Sequence, residues 1–414
     1  MYIWLLNHHA REEGRHPSLS KYLAELGSTV TLFSSSFLHN SFKETKKYRG
    51  NQYYIEENKE NYRRVYVKTP SYHGNGIKRL VNQLSFAYRS YKVGKLKIKT
   101  ESTPEVIIGS SVHLFTGVSA YFLAKKSNAK FVFEIRDIWP QTLVDLGAIK
   151  EKSLINKVFE TIEKFLYKKA DLIVSVLPDA DKHIVKLGVS REKIEYIPNG
   201  IDVEVYNNSL KDKFVEKEAK EFFETNKGKF IVTFAGAHGV ANGLNTVIEA
   251  AKKLEGLEKY NEQKTHILLI GDGPQKNKLM EQALKLNINN VSFLNKVKKN
   301  QIPHVLKKSD ACLFHLASTP VFKYGISSNK LFDYMMSGKP MIFAVDTSYD
   351  FAKEANNGIS IMPENPEEMA KSITILKEMS PKQRKEMGDS GINFVKENHD
   401  LKLLASRLIN CLSE

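Results

Sequence analysis

Lys330 and Asp333 stand three residues apart in the stretch Lys323-Tyr324-Gly325-Ile326-Ser327-Ser328-Asn329-Lys330-Leu331-Phe332-Asp333-Tyr334-Met335-Met336-Ser337-Gly338-Lys339-Pro340. A Gly/Ser/Asn loop here opens a short helix that stops at Gly338 before an apolar strand. Residues three apart share a helix face. A cation and a carboxylate on one face suit a nucleotide, with Lys for a diphosphate and Asp for ribose hydroxyls. The plain alternative is an exposed helix ion pair, which stabilises little.

Two glycine-rich turns lie upstream. Gly236-Ala237-His238-Gly239-Val240-Ala241-Asn242-Gly243 follows an apolar run ending at Ala235 and precedes helical periodicity from Leu244. Such a turn lets backbone N–H groups approach a diphosphate at a helix N-terminus. A glycine loop alone reads equally well as a turn without ligand. Leu269-Ile270-Gly271-Asp272-Gly273-Pro274 is also a strand-to-helix turn, with Gly271 at the edge of any site and Asp272 able to cap the next helix.

The fourth cluster, Phe133-Glu134-Ile135-Arg136-Asp137-Ile138-Trp139-Pro140, places charge at the end of an apolar strand. In open α/β sheets that end is where ligands bind. The alternative is a structural ion pair. Asp179-Ala180-Asp181 has the Asp-x-Asp spacing of metal-dependent sugar transferases, yet it follows a strand and opens a helix, which favours N-capping. No metal is expected. His8, His9 and His113 are loop histidines, and each alone reads as structural or exposed.

The elements that position these groups alternate. Met1–Leu6, Ser28–Ser34, Glu105–Gly109, Phe131–Ile135, Leu172–Val176 and Ile194–Ile197 read as strands. A second set follows at Phe230–Ala235, Thr265–Ile270, Val291–Leu294, Ala311–Leu316 and Pro340–Ala344. Leu154–Ala170 and Leu244–Leu254 have helical spacing. This βα alternation, occurring twice, predicts two doubly wound, Rossmann-like α/β domains with parallel sheets and a ligand cleft between them. The polar stretch Asn207–Lys229 is expected as a surface helix beside the junction, and Asn398–Glu414 as a final helix.

The 414 residues exceed one compact core, and two cysteines, Cys312 and Cys411, fit a reducing compartment rather than a disulfide framework. No run is long and apolar enough to cross a bilayer, and no N-terminal signal pattern is seen. The net charge of +15 attracts polyanions. No zinc, helix-turn-helix or RNA-reading signature accompanies it, so nucleic acid is not an expected partner.

Taken together, the motifs resemble the GT-B glycosyltransferases of family 4. The Lys323–Pro340 stretch, preceded by Ser309-Asp310-Ala311-Cys312-Leu313, resembles the nucleotide-binding segment of that family. Tyr196-Ile197-Pro198-Asn199-Gly200-Ile201-Asp202 resembles its domain-entry signature. Glu134–Pro140, Gly14-Arg15-His16 and Ser328–Met335 resemble a subgroup that includes N-acetylfucosamine transferases of capsule and O-antigen assembly. The resemblance implies the GT-B fold, with an acceptor-binding domain over 1–203, a nucleotide-sugar domain over 204–397, and helix 398–414 returning to the first. It implies donor contacts from Gly236, Gly239, Asn242, Gly243, Gly271, Val297, Ser328, Asn329, Lys330 and Asp333. Asp333 aligns with the second acid of the Glu-x7-Glu motif. Gly14, Arg15, His16 and His113 are implied on the acceptor side. Departures are Gly325 at the first acid, Ala237 and Asn242 at the family's Arg and Lys, and Arg136 at a frequent site His.

The expected reaction is metal-independent and retaining, with no cofactor. Lys330 and the glycine loop stabilise the leaving diphosphate. His238 donates where the family's Arg is missing, and Glu134, Arg136 and Asp137 orient the acceptor. The substrates implied are a UDP-sugar, N-acetylated or 6-deoxy, and a polyprenyl-diphosphate-linked sugar. The rivals are a nucleotide-sugar 2-epimerase of the same fold and a non-catalytic nucleotide-binding protein. Residues 77–99 add a surface expectation. Ile77, Leu80, Val81, Leu84, Tyr88 and Tyr91 form one helical stripe, with Phe86 off it. Lys78, Arg79, Arg89, Lys92, Lys95, Lys97 and Lys99 accompany it without any acid. That pattern suits a helix lying in anionic headgroups, giving a cytoplasmic protein held peripherally on the inner membrane face. The alternative is a core helix with a solvated basic face.

Overall fold

The computed structural model describes residues 1–74 and 76–413. By contact density the chain divides into two compact units. The first holds Met1–Gly200, Tyr324–Ser327 and Leu401–Glu414, and the second holds Ile201–Lys323 and Ser328–Asp400.

The first unit runs β1 (Tyr2–Leu6), α1 (Arg15–Glu25), β2 (Thr29–Ser35), the hairpin β3 (Phe37–Leu38) and β4 (Lys43–Glu44), β5 (Tyr54–Asn58), β6 (Arg63–Val67), α2 (Ile77–Thr100), β7 (Val106–Ser111), α3 (Leu114–Ser127) and β8 (Lys130–Ile135). It continues through α4 (Gln141–Asp145), α5 (Leu154–Lys169), β9 (Leu172–Ser175), α6 (Asp181–Ile184) and β10 (Ile194–Tyr196). The sheet order is β10-β9-β8-β7-β1-β2-β6-β5, parallel except for β5 against β6. Strand order reverses between β1 and β7, which pair Ile3 with Val106.

The second unit contains α7 (Val203–Ser209), α8 (Lys217–Thr225), β11 (Phe230–Ala235), α9 (Asn245–Leu257), β12 (Thr265–Ile270), α10 (Lys276–Lys285), β13 (Val291–Leu294), α11 (Ile302–Lys308) and β14 (Ala311–His315). It closes with α12 (Asn329–Met336), β15 (Met341–Ala344), α13 (Phe351–Glu354), β16 (Gly358–Ile361), α14 (Pro366–Glu378) and α15 (Pro381–Asn398). Its sheet, β13-β12-β11-β14-β15-β16, is parallel throughout and reverses between β11 and β14. Helices cover both faces of such a sheet, so β11 and β12 are buried at every position. Phe230, Val232, Phe234, Ile267 and Leu269 pack with Val247 and Leu254 of α9. Each such side chain contributes about 1.5–3 kcal/mol on burial.

The final helix α16 (Leu401–Ser413) belongs to the first unit, where Leu404, Ala405 and Leu408 pack with Leu5, Leu19 and Leu23. Glu414 of the expected helix lies outside the described residues. Three expectations change. Asn207–Lys229 is not one helix: Val215 N–H donates to Gln301 Oε1 at 2.8 Å and Gln301 Nε2 to the Lys213 carbonyl at 3.2 Å, which holds the segment between α7 and α8 extended. Nor is it all surface, because Phe222 is buried. The Lys323–Pro340 stretch, expected whole in the second domain, is divided: Tyr324–Ser327 group with the first unit. Lys97, expected on a basic surface, is buried against Glu56 and Glu101 at 2.8 and 2.7 Å, since it lies on the inner face with Phe86 and Val93.

Candidate active site

Each sheet carries its loops at the carboxyl ends of its strands. In the second unit, the ends of β11, β12 and β13 surround a cavity of about 360 Å³ closed on one side by α12. Gly236, Gly271, Val297, Lys330 and Asp333, all expected donor contacts, line it together. Nothing larger fits at Gly271, where φ is +152° and a Cβ would lie 1.8 Å from the Gly236 carbonyl oxygen; a Cβ on Gly236 would press on Lys330 Cδ at 3.3 Å. Tyr334 ties the wall together. Its hydroxyl donates to the Ala235 carbonyl at 2.9 Å and accepts from the Ala235 N–H at 2.7 Å.

The two charged groups are both strained toward neutrality. Burial lowers the Lys330 ammonium to about 7. Its Nζ sits 4.4 Å from the Phe234 ring centroid and 4.8 Å from that of Phe314, and donates to Asn242 Oδ1. Burial raises the Asp333 carboxyl to about 6, with Lys299 opposing. Charged forms held this way gain when a complementary ligand arrives.

Asn242 does not line the cavity but positions what does. Its Nδ2 donates to the Ala237 carbonyl at 2.8 Å, and its own carbonyl accepts from His315 Nδ1 at 2.7 Å. The Glu364 N–H donates to His315 Nε2 at 3.3 Å, so both ring nitrogens are committed. Gly243 serves this contact, since a Cβ there would lie 2.7 Å from His315 Cε1. Gly239, Ser328 and Asn329 also stand off the cavity, Ser328 as the residue before α12. His238 is a correction. Its ring is buried beneath the loop near Phe234 and Phe293, with neither nitrogen hydrogen-bonded among the described residues. Burial lowers it to about 4, and its backbone, not its ring, does the joining: its N–H donates to the Asp272 carbonyl at 2.9 Å.

In the first unit the expected residues separate into a sealed group and an open one. Glu134 accepts from Arg15 Nε at 2.9 Å and from Ser110 Oγ at 2.5 Å, and pairs with His16 Nε2 at 2.7 Å. Arg15 also donates to the carbonyls of Ile197, at 2.9 Å, and Pro198. All three are at most 5% exposed. Burial alone would raise the Glu134 carboxyl, yet His16 and Arg15 hold it well below the usual carboxylate range. Arg15, His16 and Glu134 were expected to face an acceptor; they face one another, because a buried carboxylate must be paired. Gly14 precedes α1 at φ +113°. Arg136 is half-buried and Asp137 exposed, in the loop after β8. His113 is buried, bonded to His8. Asp179 and Asp181 each pair with a cation, Lys182 at 3.0 Å and Arg191 at 2.9 Å.

Residues 18–205 match the family model described as Glycosyltransferase Family 4, and residues 215–394 the one described as Glycosyl transferases group 1. The chain belongs among the GT-B glycosyltransferases. It is 28% identical over 247 residues to an uncharacterized glycosyltransferase of Methanocaldococcus jannaschii, covering 59% of this chain and 58% of that one. It is 27% identical over 245 residues to the D-rhamnosyltransferase WbpZ of Pseudomonas aeruginosa, covering 58% of each. The chain thus spans under two thirds of the length of both relatives. Among solved structures, Anabaena HepE in complex with UDP superposes with a TM-score of 0.68 at 15% identity, covering 100% of both chains. That likeness shows the fold.

The sequence reading of this GT-B chain missed Lys296 and Lys299, which line the same cavity as Lys330. A signal was present: Asn295–Lys299 follows β13 directly, as the glycine loops follow β11 and β12.

Proposed function

We propose that this chain transfers a glycosyl group from a nucleoside-diphosphate sugar to an acceptor hydroxyl, without a metal. The carrying observation is the 360 Å³ cavity that joins the glycine loops to Lys330 and Asp333. Asp333 accepts from the ribose hydroxyls, Val297 lies by the base, and Gly236 and Gly271 admit the diphosphate. The bond between the sugar C1 and the phosphate oxygen breaks, and the acceptor oxygen bonds to C1. In the retaining course that the family resemblance implies, the acceptor attacks on the leaving-group face and its proton passes to the departing diphosphate. Lys330 offsets the charge that develops there. The cationic partners of Asp179 and Asp181 support a metal-free reading of that pair.

UDP is the nucleotide this reading favours, because the fold relative HepE is a UDP complex. The sugar is proposed to be 6-deoxy, N-acetylated or both. At Gly325, φ +101°, a Cβ would lie 2.4 Å from Pro178 Cγ and Cδ, so the family's first acid has no room and one contact to sugar hydroxyls is lost. WbpZ, named for transfer of a 6-deoxy sugar, fits that loss. The acceptor is proposed to be a polyprenyl-diphosphate-linked sugar of capsule, O-antigen or exopolysaccharide assembly, met at the inner face of the membrane. Support comes from α2, whose stripe Ile77, Leu80, Val81, Leu84 and Tyr88 is exposed rather than buried. Lys78, Lys92, Lys95 and Lys99 are exposed beside it. No described helix is long and apolar enough to cross a membrane.

The test is a panel of UDP- and GDP-sugars, with and without polyprenyl-diphosphate-sugar in anionic nanodiscs and with excess EDTA, read by mass spectrometry. Transfer to lipid in EDTA supports the reading. Absence of UDP binding by calorimetry overturns it, and turnover of the sugar nucleotide to an epimer without acceptor replaces it with the epimerase.

A further inference from the structure

At the strand-order reversal of the first unit, between β1 and β7, the two carboxyl ends carry Asn7–His9 and Val112–His113. This is the position in a doubly wound sheet where ligands bind. Four imidazoles meet there. His8 Nδ1 and His113 Nε2 are 2.8 Å apart and hydrogen-bonded. The His9 ring stacks on His39 with centroids 4.9 Å apart and planes at 5°. His39 Nδ1 is hydrogen-bonded to the Tyr72 hydroxyl. His8 and His113 are buried, while His9 and His39 are half-buried and form the open side. His113 Nδ1 is buried without a hydrogen-bond partner among the described residues. A buried polar atom left without a partner is destabilising, and a ligand that reaches it removes that cost.

The surrounding charges are positive. Burial lowers all four histidines, and the principal charges that lower them further are one another, Arg79, Arg136 at His9 and Arg11 at His39. Arg11 and Arg136 form no ion pair among the described residues. The acids nearest in sequence do not fill the basin. Glu12 turns to Arg64 and Lys59, both at 3.3 Å, and Asp137 and Glu13 are exposed. No group of three or more His, Cys, Asp or Glu among the described residues is arranged to hold a metal ion, and the two buried imidazoles spend a nitrogen each on the other.

Helix α2 links this basin to the exposed apolar stripe. Asn82, Gln83 and Phe86 lie three, four and seven residues after the half-buried Arg79, so the four share one helix face, and Phe86 stacks on His8 at 4.5 Å. Ile77, Leu80, Val81, Leu84 and Tyr88 occupy the opposite face and are exposed. The same two turns of helix therefore present a guanidinium to the basin and greasy side chains to the outside.

We propose that this basin is a phosphate site, separate from the donor cavity, that takes the phosphate or diphosphate of the acceptor between Arg11, Arg79 and Arg136, with the histidine pair at its floor. Guanidinium groups match phosphate oxygens in pairs, and a neutral imidazole donates to a phosphate oxygen through its N–H or accepts from a sugar hydroxyl through its other nitrogen. Calling the ligand the acceptor rests on the transferase reading above; the anion site does not.

The experiment uses the full chain with saturating UDP, so that the donor cavity is filled, and titrates inorganic pyrophosphate by calorimetry and by histidine ring signals in NMR. Binding with shifts at His9 and His39 is expected. In Arg11→Gln/Arg79→Gln the pyrophosphate affinity falls by about tenfold or more, the loss of charge-assisted hydrogen bonds, while UDP affinity holds. His9→Gln, at a half-buried position, is a second variant if the arginine pair perturbs folding, and it should also weaken pyrophosphate. Competition by a short polyprenyl phosphate in nanodiscs identifies a lipid source; competition by a soluble sugar phosphate only identifies a free one. No pyrophosphate binding in the presence of UDP, or equal binding by both variants, overturns the proposal. Loss of UDP binding itself would instead break the reading of the donor cavity.

Discussion

Two charged clusters of this chain are built from similar parts and left in different states. In the second unit, Lys330 and Asp333 line an open cavity, and burial holds both near neutrality. In the first, Arg15, His16 and Glu134 have closed on one another, with no surface left to offer. A cation beside a carboxylate therefore supports opposite roles in the two places. A charge poised without a strong partner is available to a ligand, and a charge with three partners is part of the frame.

The sharpest way to break this contrast is Glu134→Ala. It leaves Arg15 buried without its carboxylate, so a loss of about 3–5 kcal/mol in chemical denaturation is expected. A folded variant of unchanged stability but no transfer would move Glu134 back to the chemistry. Lys330→Ala should do the reverse, keeping stability while transfer falls by about 10²–10³-fold. Near-normal turnover would remove Lys330 from the leaving-group role. Asn242→Ala removes the group that holds Lys330 in place, and should cost about 1.5–3 kcal/mol in kcat/KM with little change in stability. Gly325→Ala should destabilise by about 1–3 kcal/mol through the contact with Pro178, and a stable variant would show that the loop can shift to admit a side chain.

The smallest effect is a pH window. Lys330 is charged below about 7 and Asp333 is ionised above about 6. Above 7 the diphosphate must draw a proton onto Lys330, and below 6 the ribose meets a neutral acid. UDP affinity should therefore peak between the two and decline by up to about tenfold per pH unit on either side. A flat profile from pH 5 to 8 would show that neither group meets the nucleotide.

Much of the frame was legible in the residues. Phe230–Ala235, Thr265–Ile270 and Val291–Leu294 read as strands at their observed bounds: β11 and β12 are buried at every position and so mostly apolar, and the half-buried edge strand β13 keeps Val291, Phe293 and Leu294. β5 and β6 were not legible: YIEEN and RRVYV carry charges that only the fold satisfies, as when Arg64 donates to the Ala10 carbonyl at 2.7 Å. The edge strand β16 was hidden by Gly358, whose missing Cβ lets it approach the Met341 carbonyl. Of the residues that line the cavity, Gly236 and Gly271 were read from their places after strands, Lys330 and Asp333 from a shared helix face, and Val297 from the family resemblance. Spacing could not distinguish the sealed Arg15–Glu134 pair from an open one, since partners more than a hundred residues apart decide that. The same limit hid the inward turn of Lys97, whose partners Glu56 and Glu101 decide it.

The Tyr334 clamp on Ala235 makes one amide a witness to the whole site. The Ala235 N–H is bonded to a side chain of α12 rather than to a neighbouring strand, so deuterium replaces its hydrogen only when α12 lifts away. Exchange at that single amide measures how often the cavity comes apart. Nucleotide that bridges β11 and α12 should slow it, and Tyr334→Phe should free it without opening the strand around it.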